Sequence, residues 1–387
     1  MSTHSPVFAQ IVRPLDPTEF ARCAALFPPA RAPRGLSAYD HFLALCFAQL
    51  THRDSLRDLA ACLQTRRAYH AGFRTRVSRT NLAYANKHRD WRLLAAVAQV
   101  LMRKVRRAFD ATPAEPALPE VAYALDASII DLSLALFPWA HWESKAAAVK
   151  LHLLLSLHSQ APAWAVVTEA GFPEQKSLAQ LPLEPDAFYV MDRGYLDFTR
   201  LARFDAVKAW FVVRSKCHVR FRVLESRPVD KSSGLRCDQI IQLKTRWSRR
   251  VYPQRLRRVR VWDEEHGVSL VLLTNHLELP AAMISLLYRK RWQVELFFKW
   301  IKQHLRLRAF LGRSQNAVRC QVWAGVCAYL LVVLARKELG LGQSLHHILQ
   351  MVSIAAFEQT PLVELLAPIN LETEGNYNSN QLLLNII

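Results

Sequence analysis

The sequence lacks the features that identify several classes of protein. Its seven cysteines, at positions 23, 46, 62, 217, 237, 320 and 327, include no C-x-x-C pair. This spacing fits neither a zinc site nor a disulfide framework, and it indicates reduced thiols in a cytoplasmic protein. The first residues, MSTHSPVFAQ, lack a basic flank followed by an apolar run, so no signal peptide is predicted.

Long hydrophobic runs are also scarce. The most apolar stretch, 322–335, has only 14 residues and ends at Arg336 and Lys337. Because this length is too short to span a bilayer, the stretch predicts a buried helix, and we expect no membrane partner.

Negative charge is scarce as well, and positive charge is unevenly distributed. The chain has 51 Lys and Arg against 32 Asp and Glu, a formal net charge of +19. Residues 1–110 carry 18 basic and 7 acidic residues, residues 201–275 carry 17 and 7, and no Lys or Arg follows Lys337. Two basic regions and an acidic C-terminal part indicate a polyanionic partner, nucleic acid rather than membrane.

The spacing of apolar residues changes along the chain and divides it into segments. Helical spacing dominates the first part, and a segment with Pro113, Pro116 and Pro119 reads as a linker. Three strand-like segments follow in quick succession, VAYALDASIIDLSLAL, VKLHLLLSLHS and APAWAVVTEA, and then strands alternate with helices. This order predicts an α/β protein with a mixed sheet, preceded by an all-helical N-terminal domain. The predicted segments are a helical DNA-binding domain at 1–110, a linker at 111–120, the first part of the α/β core at 121–216, a basic β-rich insertion at 217–275, a helical second part of the core at 276–340, and a C-terminal helix with a polar tail at 341–387.

The segment 1–110 carries polar residues at positions that suit helix N-caps. The predicted caps are Ser37, then Thr51 or Asp54, then Ser78 or Thr80. The helix that starts near Ser78 is polar and basic at its beginning, which suits contact with phosphates. The alternative is a basic bundle that only packs on its neighbour. We expect that deletion of residues 1–110 would leave the catalytic fold intact.

Three carboxylates suggest chemistry. Asp126 lies in the strand-like LDAS, Asp192 follows the strand-like FYVM, and Glu295 lies among basic residues on a predicted helix. An aspartate in a buried strand is costly unless it is paired, hydrogen-bonded or bound to metal, and taken singly each is more often structural. Together, carboxylates from two strands and a helix form a ligand set that holds two hard cations for phosphoryl transfer.

The segment 288–302 is predicted to form one continuous amphipathic helix. At about 100° per residue, one face carries Tyr288, Arg291, Glu295, Lys299 and Lys302, and the opposite face carries Val294, Phe297, Phe298 and Ile301. The alternative interpretation is an ordinary helix with a solvated charged face.

The spacing Tyr288-x2-Arg291-x3-Glu295-x6-Lys302 resembles the Tyr-Arg-Glu-Lys signature of DDE transposases of the fourth insertion-sequence family. LDAS and MDRGY resemble that family's two aspartate motifs, and the resemblance extends from about residue 20 to residue 335. One small departure is Ser128, where the family often has Thr.

The resemblance implies an RNase H-like catalytic core at 121–216 and 276–340. It implies a catalytic triad of Asp126, Asp192 and Glu295 that holds two Mg²⁺ ions, which Mn²⁺ can replace. It also implies contacts with DNA. Tyr288, Arg291 and Lys302 would hold phosphates near the transferred end.

Further DNA contacts follow from position in the sequence, and each has a structural alternative. Lys299 lies on the same helix face as Glu295, and the alternative is that it is simply solvated. Lys145 and Lys150 follow the first aspartate motif and could reach DNA. Trp247 and Trp262 could stack on an unpaired base, or they could pack in the core or in a hairpin. His152, His346 and His347 have no spacing typical of metal ligands.

The implied function is that of an insertion-sequence transposase. Such a protein binds the terminal inverted repeats of double-stranded DNA, cleaves the ends with Mg²⁺ and transfers them into target DNA by a cut-and-paste route. We expect a homodimer on paired ends, associated with DNA in the bacterial cytoplasm. The alternatives are a catalytically silent DNA-binding regulator, against which the three carboxylates argue, and a nuclease of the same fold that never joins ends, against which the large basic N-terminal region argues.

Overall fold

The N-terminal part of the chain is helical. The computed structural model describes residues 5–29, 35–110, 119, 121–143, 146–264, 267–304 and 310–367. Its first helices are α1 (Val7–Val12), α2 (Pro17–Ala25), α3 (Ala38–Leu50), α4 (Leu56–Leu63), α5 (Arg66–His70), α6 (Arg79–His88) and α7 (Arg92–Asp110).

Serine side chains cap three of these helices, α3, α4 and α6, partly as predicted. The hydroxyl oxygens of Ser37 and Ser78 accept hydrogen bonds from backbone N–H groups of the first turns of α3 and α6. The cap of α4 is Ser55, so the prediction of Thr51 or Asp54 was wrong. The stretch after Ser78 forms two helices, because Arg89 adopts an extended conformation (φ −77°, ψ 132°) that ends α6.

The strands of the described residues form one mixed sheet. They are β1 (Ala122–Leu132), β2 (His141–Glu143), β3 (Ala146–Ser156), β4 (Pro162–Glu169), β5 (Phe188–Met191), β6 (Trp210–Arg214), β7 (Phe221–Arg227), β8 (Leu235–Leu243), β9 (Leu256–Asp263) and β10 (Val268–Thr274). The strand order is β4-β3-β1-β5-β6-β10-β9-β8-β7, and the short β2 also pairs with β3. β1, β3 and β4 are successively antiparallel, and β5 and β6 run parallel to β1. Three antiparallel strands followed by two parallel ones confirm the predicted RNase H-like fold.

The segment predicted as a β-rich insertion extends this sheet. β10 pairs antiparallel with β6, and β9, β8 and β7 follow outward. Short helices join the strands: α8 (Glu174–Ser177), α9 (Phe198–Val207) and α10 (Arg246–Val251). Residues 246–247, predicted to continue a strand, start α10 because Thr245 caps a helix there.

A buried ion pair ties this extension to the core. Arg257 donates to both carboxylate oxygens of Asp238, at 2.7 and 2.6 Å, and both side chains are almost fully buried. Arg257 also donates to the carbonyl oxygens of Leu277 and Leu279, just before the next helix. Because buried charges are tolerated only when fully paired, this cluster fixes β8 and β9 relative to the chain that follows β10.

The remaining helices are α11 (Ala281–Lys290), α12 (Trp292–His304), α13 (Gln315–Glu338), α14 (Leu345–Ala355) and α15 (Leu362–Leu365). The helix predicted over 288–302 forms as two consecutive helices that meet at Arg291, where the backbone keeps helical dihedrals (φ −52°, ψ −31°) while the Arg291 N–H donates to the carbonyl oxygen of Tyr288, only three residues earlier. The two parts pack on different strands: α11 lies against β5, β6, β8 and β9, and α12 lies against β1 and β3. The interruption lets each part follow its own portion of the sheet.

The longest helix, α13, lies at the centre of the molecule. It has 24 residues, and by length and composition it could cross a membrane, but 94% of its most apolar window is buried inside the protein. The predicted buried helix is therefore present, although it is longer than its apolar run. On one side α13 contacts α3, α6 and α7. On the other, Tyr329 packs edge-on against Phe297 and Trp300 of α12.

The N-terminal helices and the core helices consequently share one hydrophobic core. Polar groups are satisfied where α6 meets α13. The Asn316 amide donates to the carbonyl oxygens of Asn86, at 2.8 Å, and Arg89, at 2.6 Å, and the side-chain carbonyl oxygen of Asn86 lies 2.7 Å from His41 Nε2. These contacts join the N-terminal helices to α13; the predicted linker at 111–120 lies, apart from residue 119, outside the described residues.

Candidate active site

The sheet brings four strand ends to one edge. β1, β4, β5 and β6 run in the same direction, because β1 and β4 are both antiparallel to β3 while β5 and β6 are parallel to β1. Leu125 of β1 pairs with Met191, the last residue of β5. Asp126 and Asp192 are the next residues on these neighbouring strands, which lie about 5 Å apart in any sheet. The structure thus places the two predicted aspartates side by side, where β5 ends.

Glu295 reaches this edge from α12, which is anchored by its apolar face. Val294, Phe297 and Phe298 are buried, and α12 packs on β1. The guanidinium group of Arg291 lies between two carboxylates. Its Nη2 is 2.6 Å from Oε1 of Glu295, and its Nη1 is 3.6 Å from Oδ2 of Asp126.

Tyr288 contacts the second aspartate. Its hydroxyl donates to Oδ1 of Asp192 at 3.0 Å, and Nη1 of Arg214 lies 4.0 Å from the same oxygen. Burial and the negative charge of Asp192 raise the pKa of Tyr288 to about 12, so the phenol remains a donor at neutral pH. Only 6% of Tyr288 is exposed. The alternative of a solvated helix face therefore does not hold for Tyr288, which points into the protein.

The surroundings of Asp126 change the pKa of its carboxyl group. Burial raises the pKa of Asp126 to about 6, and the charges of Glu295 and Glu174 act in the same direction. The Ala127 N–H, which donates to Oδ1 at 2.8 Å, and the Arg291 guanidinium lower it and only partly compensate. A partly buried carboxyl with a raised pKa at the edge of a sheet is typical of a functional site.

The donor set fits a hard divalent cation only in part. The adjacent carboxylates of Asp126 and Asp192 are the oxygen ligands that Mg²⁺ and Mn²⁺ favour. Within the described ranges, however, no group of three or more His, Cys, Asp or Glu residues is arranged to hold one metal ion. Glu295 is at the same edge, but it is engaged by Arg291. The three carboxylates lie at the same edge, and the guanidinium group of Arg291 lies between those of Asp126 and Glu295.

The other predicted cations lie in different environments. Lys150 was predicted to reach DNA, but only 12% of its side chain is exposed, its Nζ lies 3.7 Å from Oε1 of Glu174, and it donates to the carbonyl of Phe172. It therefore points into the protein. On α12, Lys299 is exposed and Lys302 is half-buried. Lys145 lies outside the described residues.

The two tryptophans have different surroundings. Trp247, on α10, is 61% exposed, so the alternative that it packs in a core does not hold. Trp262 lies near the end of β9 and is 37% exposed. It lines a cavity of about 360 Å³ that also reaches Tyr288 and Arg289.

Three residues near the site were not predicted from the sequence. They are Glu174 at the start of α8, Tyr195 three residues after Asp192, and Arg214 at the end of β6. Each follows or ends a strand that runs parallel to β1, so the strand order places them at the same edge. The signal in the sequence was the end of each predicted strand, but it is visible only once the strand order is known.

The strand order and the acidic edge define an RNase H-like protein. A family model described as the transposase DDE domain matches residues 108–331, more than half of the chain, and the chain belongs to that family. A second model, described as a domain of unknown function (DUF4372), matches residues 3–74.

Similar proteins include three transposases. A putative transposase of Sinorhizobium fredii is 32% identical over 203 residues, which are 51% of this chain and 56% of the relative. A probable transposase for an insertion sequence element of Geobacillus stearothermophilus is 29% identical over 62% of each chain. A putative insertion-element transposase of Synechocystis is 25% identical over 38% of this chain and 40% of the relative. The chain thus spans only about three fifths of the first two relatives.

One solved structure is similar over most of the chain. The piggyBac transposase synaptic complex with hairpin DNA aligns with 95% of this chain and 80% of that chain, at a TM-score of 0.41 and 9% identity. At this TM-score the likeness is limited, and the fold assignment stands on the strand order described above.

Proposed function

We propose that the protein is an insertion-sequence transposase that binds the terminal inverted repeats of its element, cleaves the DNA ends and joins them to target DNA. The observation that carries this proposal is the convergence of Asp126, Asp192 and Glu295 at the carboxyl edge of an RNase H-like sheet. The resemblance of Tyr288, Arg291, Glu295 and Lys302 to the Tyr-Arg-Glu-Lys signature supports membership of the fourth insertion-sequence family. A cut-and-paste route and a homodimer on paired ends are parts of the same proposal.

The proposed cofactor is Mg²⁺, as two ions, with Mn²⁺ as a substitute. Asp126 and Asp192 would both bind these ions. Glu295 would bind them as well once it is released from its ion pair with Arg291. When bound, such ions activate the attacking oxygen and stabilise the leaving oxygen of a phosphodiester.

The protein's own residues prepare this site in two ways. Tyr288 holds Asp192 by a hydrogen bond, and Arg291 holds Asp126 and Glu295 in place by charge. A guanidinium is also a bidentate partner for phosphate. Arg291 can therefore move from carboxylate to phosphate when a DNA strand and cations arrive, with Lys299 and Lys302 on the same helix. Trp262, which lines the same cavity as Tyr288, would stack on an unpaired base in this proposal.

A basic surface on the N-terminal helices supports binding to DNA. No Asp or Glu occurs between Asp58 and Asp90. The exposed cations of this interval lie on α5, on the loop after it and on α6, and together we call them the basic helical face: Arg66, Arg67, Arg74, Arg76, Arg79 and Lys87. Within the described part of the chain, none of the six forms an ion pair with a carboxylate. Two exposed tyrosines, Tyr69 and Tyr84, lie among them, and the Arg74 guanidinium stacks over the ring of Tyr69.

The partner that best fits this face is double-stranded DNA. The exposed positions of α6 include 79, 80, 83, 84, 87 and 88, a spacing that places them on one side of the helix. A single exposed helix with phosphate-binding residues around it has the dimensions that enter a major groove. The face thus supports the interpretation of residues 1–110 as a DNA-binding region rather than as a bundle that only packs.

The test uses purified protein and labelled DNA that carries the inverted repeats found on either side of the gene. We expect that Asp126→Asn, Asp192→Asn or Glu295→Gln abolishes Mg²⁺-dependent cleavage and leaves the Kd for this DNA within about twofold, because the charge needed for cations is lost while the basic helical face is unchanged. Asp131→Asn, exposed on the same strand as Asp126, is the matched control and should cleave normally.

Each alternative function has its own outcome in this assay. Binding without cleavage by the unaltered protein would favour a silent DNA-binding regulator. Nicking without a joined product would favour a nuclease. Retained cleavage in any one of the three variants would remove that residue from the proposed triad.

A further inference from the structure

A basic cavity borders the acidic edge on the face of the sheet opposite to Tyr288. We propose that this cavity binds an unpaired DNA strand, so that the two strands of an opened DNA end lie on opposite faces of the sheet. The inference rests on the proposed function, since it requires that the protein acts on DNA ends.

Basic side chains dominate the lining of this cavity. Its volume is about 630 Å³, which lies within the range of about 300–1,000 Å³ that is usual for sites of small ligands. None of the described lining residues is an Asp or a Glu. The basic residues of the lining are Arg193, Arg214, Lys216, His218 and Arg258. A concave surface with charge of one sign concentrates ligands of the opposite sign, which for this protein are phosphates.

Two cavities lie on opposite faces of β10. Leu270 and Leu272 line the cavity of about 360 Å³ that reaches Tyr288, whereas Ser269 and Val271 line the basic cavity. Successive side chains of a strand point to opposite faces of its sheet. The sheet itself therefore separates the two cavities, and one DNA strand can approach from each face.

Asp192 connects the basic cavity to the candidate active site. Arg193 is the next residue in the chain, and Nη1 of Arg214 lies 4.0 Å from Oδ1 of Asp192. The same oxygen accepts the hydrogen bond from Tyr288. A strand in the basic cavity would therefore start beside the edge where cleavage is proposed.

An unsatisfied donor and an aromatic ring suit this cavity to a single strand. The Nε of Arg258 is buried and has no hydrogen-bond partner among the described residues, and such groups are rare in proteins. The guanidinium carbon of Arg258 lies 5.2 Å from the centroid of the Phe221 ring, which also lines the cavity. Basic grooves with aromatic side chains bind unpaired strands, because the cations meet the phosphates and the rings meet the bases.

The simplest competing explanation is a solvent-filled cleft whose charge serves only solubility. Such a cleft does not explain why a buried guanidinium N–H has no partner, nor why the cations gather beside Asp192. The two explanations differ in whether DNA with an unpaired strand binds more tightly than blunt DNA.

The experiment compares labelled duplexes by fluorescence anisotropy, with the full-length protein and without divalent cations. Each duplex carries the inverted repeat from beside the gene; one is blunt at the element end, and the others have a short oligothymidine extension on one strand or the other. We expect the unaltered protein to bind one of the extended duplexes about tenfold more tightly than the blunt one, the order of magnitude for one stacked base.

The double variant Arg193→Gln, Lys216→Gln should lose most of this preference. For the extended duplex alone, the slope of log K against log salt should also fall by about 1.4, because each phosphate contact of a single strand contributes about 0.7. Arg220→Gln, Arg236→Gln is the matched control. Both arginines are exposed in the same extension of the sheet and neither lines the cavity, so the preference should persist.

Thermal unfolding shows whether each variant is folded. The two single substitutions should each remove part of the preference, so the test does not depend on the folding of the double variant. Lys216→Arg keeps the charge and should keep the preference.

The inference is overturned if the unaltered protein binds blunt and extended duplexes equally, or if the folded double variant keeps the preference. Equal weakening of both kinds of duplex would also overturn it, because the cations would then contact paired DNA. Failure of the unaltered protein to bind any of these duplexes would instead contradict the proposed function.

Discussion

At the scale of the residue, the ionised carboxylate of Asp126 lowers the stability of the folded protein at neutral pH. Its pKa of about 6 lies well above the ordinary value of 3.8, because burial removes water from the carboxylate. Between these two pH values the folded protein binds more protons than the unfolded chain. The free energy of unfolding of the metal-free protein therefore falls as the pH rises from about 4 to about 6, and the loss persists above that pH.

Asp126→Asn should remove this loss. We expect the variant to be more stable than the unaltered protein at pH 7, by on the order of 1–3 kcal/mol, and about equally stable at pH 4. Urea unfolding at both pH values, in the presence of EDTA, measures the difference. Asp131→Asn on the same strand is exposed and serves as the control. An equal difference in stability at both pH values would contradict the pKa assigned to Asp126.

Single residues can be predicted from the sequence only where their spacing along the chain marks them. Asp126, Asp192 and Glu295 could be chosen because strand ends and motif spacing mark them, and the structure brings all three to one edge. The environments of Tyr288 and Lys150 could not be predicted, because the orientation of each side chain depends on a partner that is distant in sequence. The partner is Asp192 for the tyrosine and Glu174 for the lysine.

At the scale of the element, the basic helical face predicts that the affinity for DNA depends on the salt concentration. Each Lys or Arg that neutralises a phosphate releases condensed counterions, so its loss lowers the slope of log K against log salt by about one unit. We expect the double variant Arg79→Gln, Lys87→Gln on α6 to lower the slope by about two and to weaken DNA binding at every salt concentration tested.

The control for this experiment is Lys208→Gln. Lys208 is exposed just before β6, at the end of that strand opposite to the acidic edge. An unchanged slope in the α6 variant, or an equal change in the control, would show that α6 does not lie on phosphates. Fluorescence anisotropy over a series of KCl concentrations gives the slopes.

Elements were predictable where local chemistry determines them. Ser37 and Ser78 begin helices because a hydroxyl satisfies a free N–H of the first turn, and alternating apolar residues gave the strands of the sheet. The interruption at Arg291 was not predictable, since α11 and α12 are separated by what they pack against rather than by a residue that breaks helices.

At the scale of the whole molecule, the packing of α13 determines which parts of the chain can fold independently. The sequence predicted that deletion of residues 1–110 would leave the catalytic fold. The structure argues otherwise, because α3 and α7 pack on a helix of which 18 of 24 residues are buried. Exposure of that surface removes the hydrophobic stabilisation of α13 and leaves an apolar face open to association.

We therefore expect the fragment of residues 111–387 to aggregate or to unfold without a cooperative transition. Gel filtration and thermal unfolding followed by circular dichroism measure both properties. The full-length protein, purified in the same buffer, is the reference. A monomeric fragment with a sharp transition would show that the core of the α/β part is complete without the N-terminal helices.

The boundary at residue 110 illustrates why whole-molecule predictions from sequence are the hardest. A linker with three prolines suggested two independent units, and the apolar residues of 322–335 gave no indication of their partners. Contacts between residues more than 200 positions apart, such as that of Asn316 with Asn86, determine the outcome, and a single sequence does not show them.

The large separation in sequence between α13 and the N-terminal helices has a consequence for synthesis. On the ribosome, α1 to α7 are made first, yet the helix against which they pack emerges only after residue 338. The backbone N–H groups of Val7 and Phe8 also bond to carbonyl oxygens at Glu358 and Ala356. In a nascent chain, the packing of the N-terminal helices is therefore complete only after residues 315–358 have emerged, and a chain interrupted before them would leave the apolar faces of α3 and α7 uncovered.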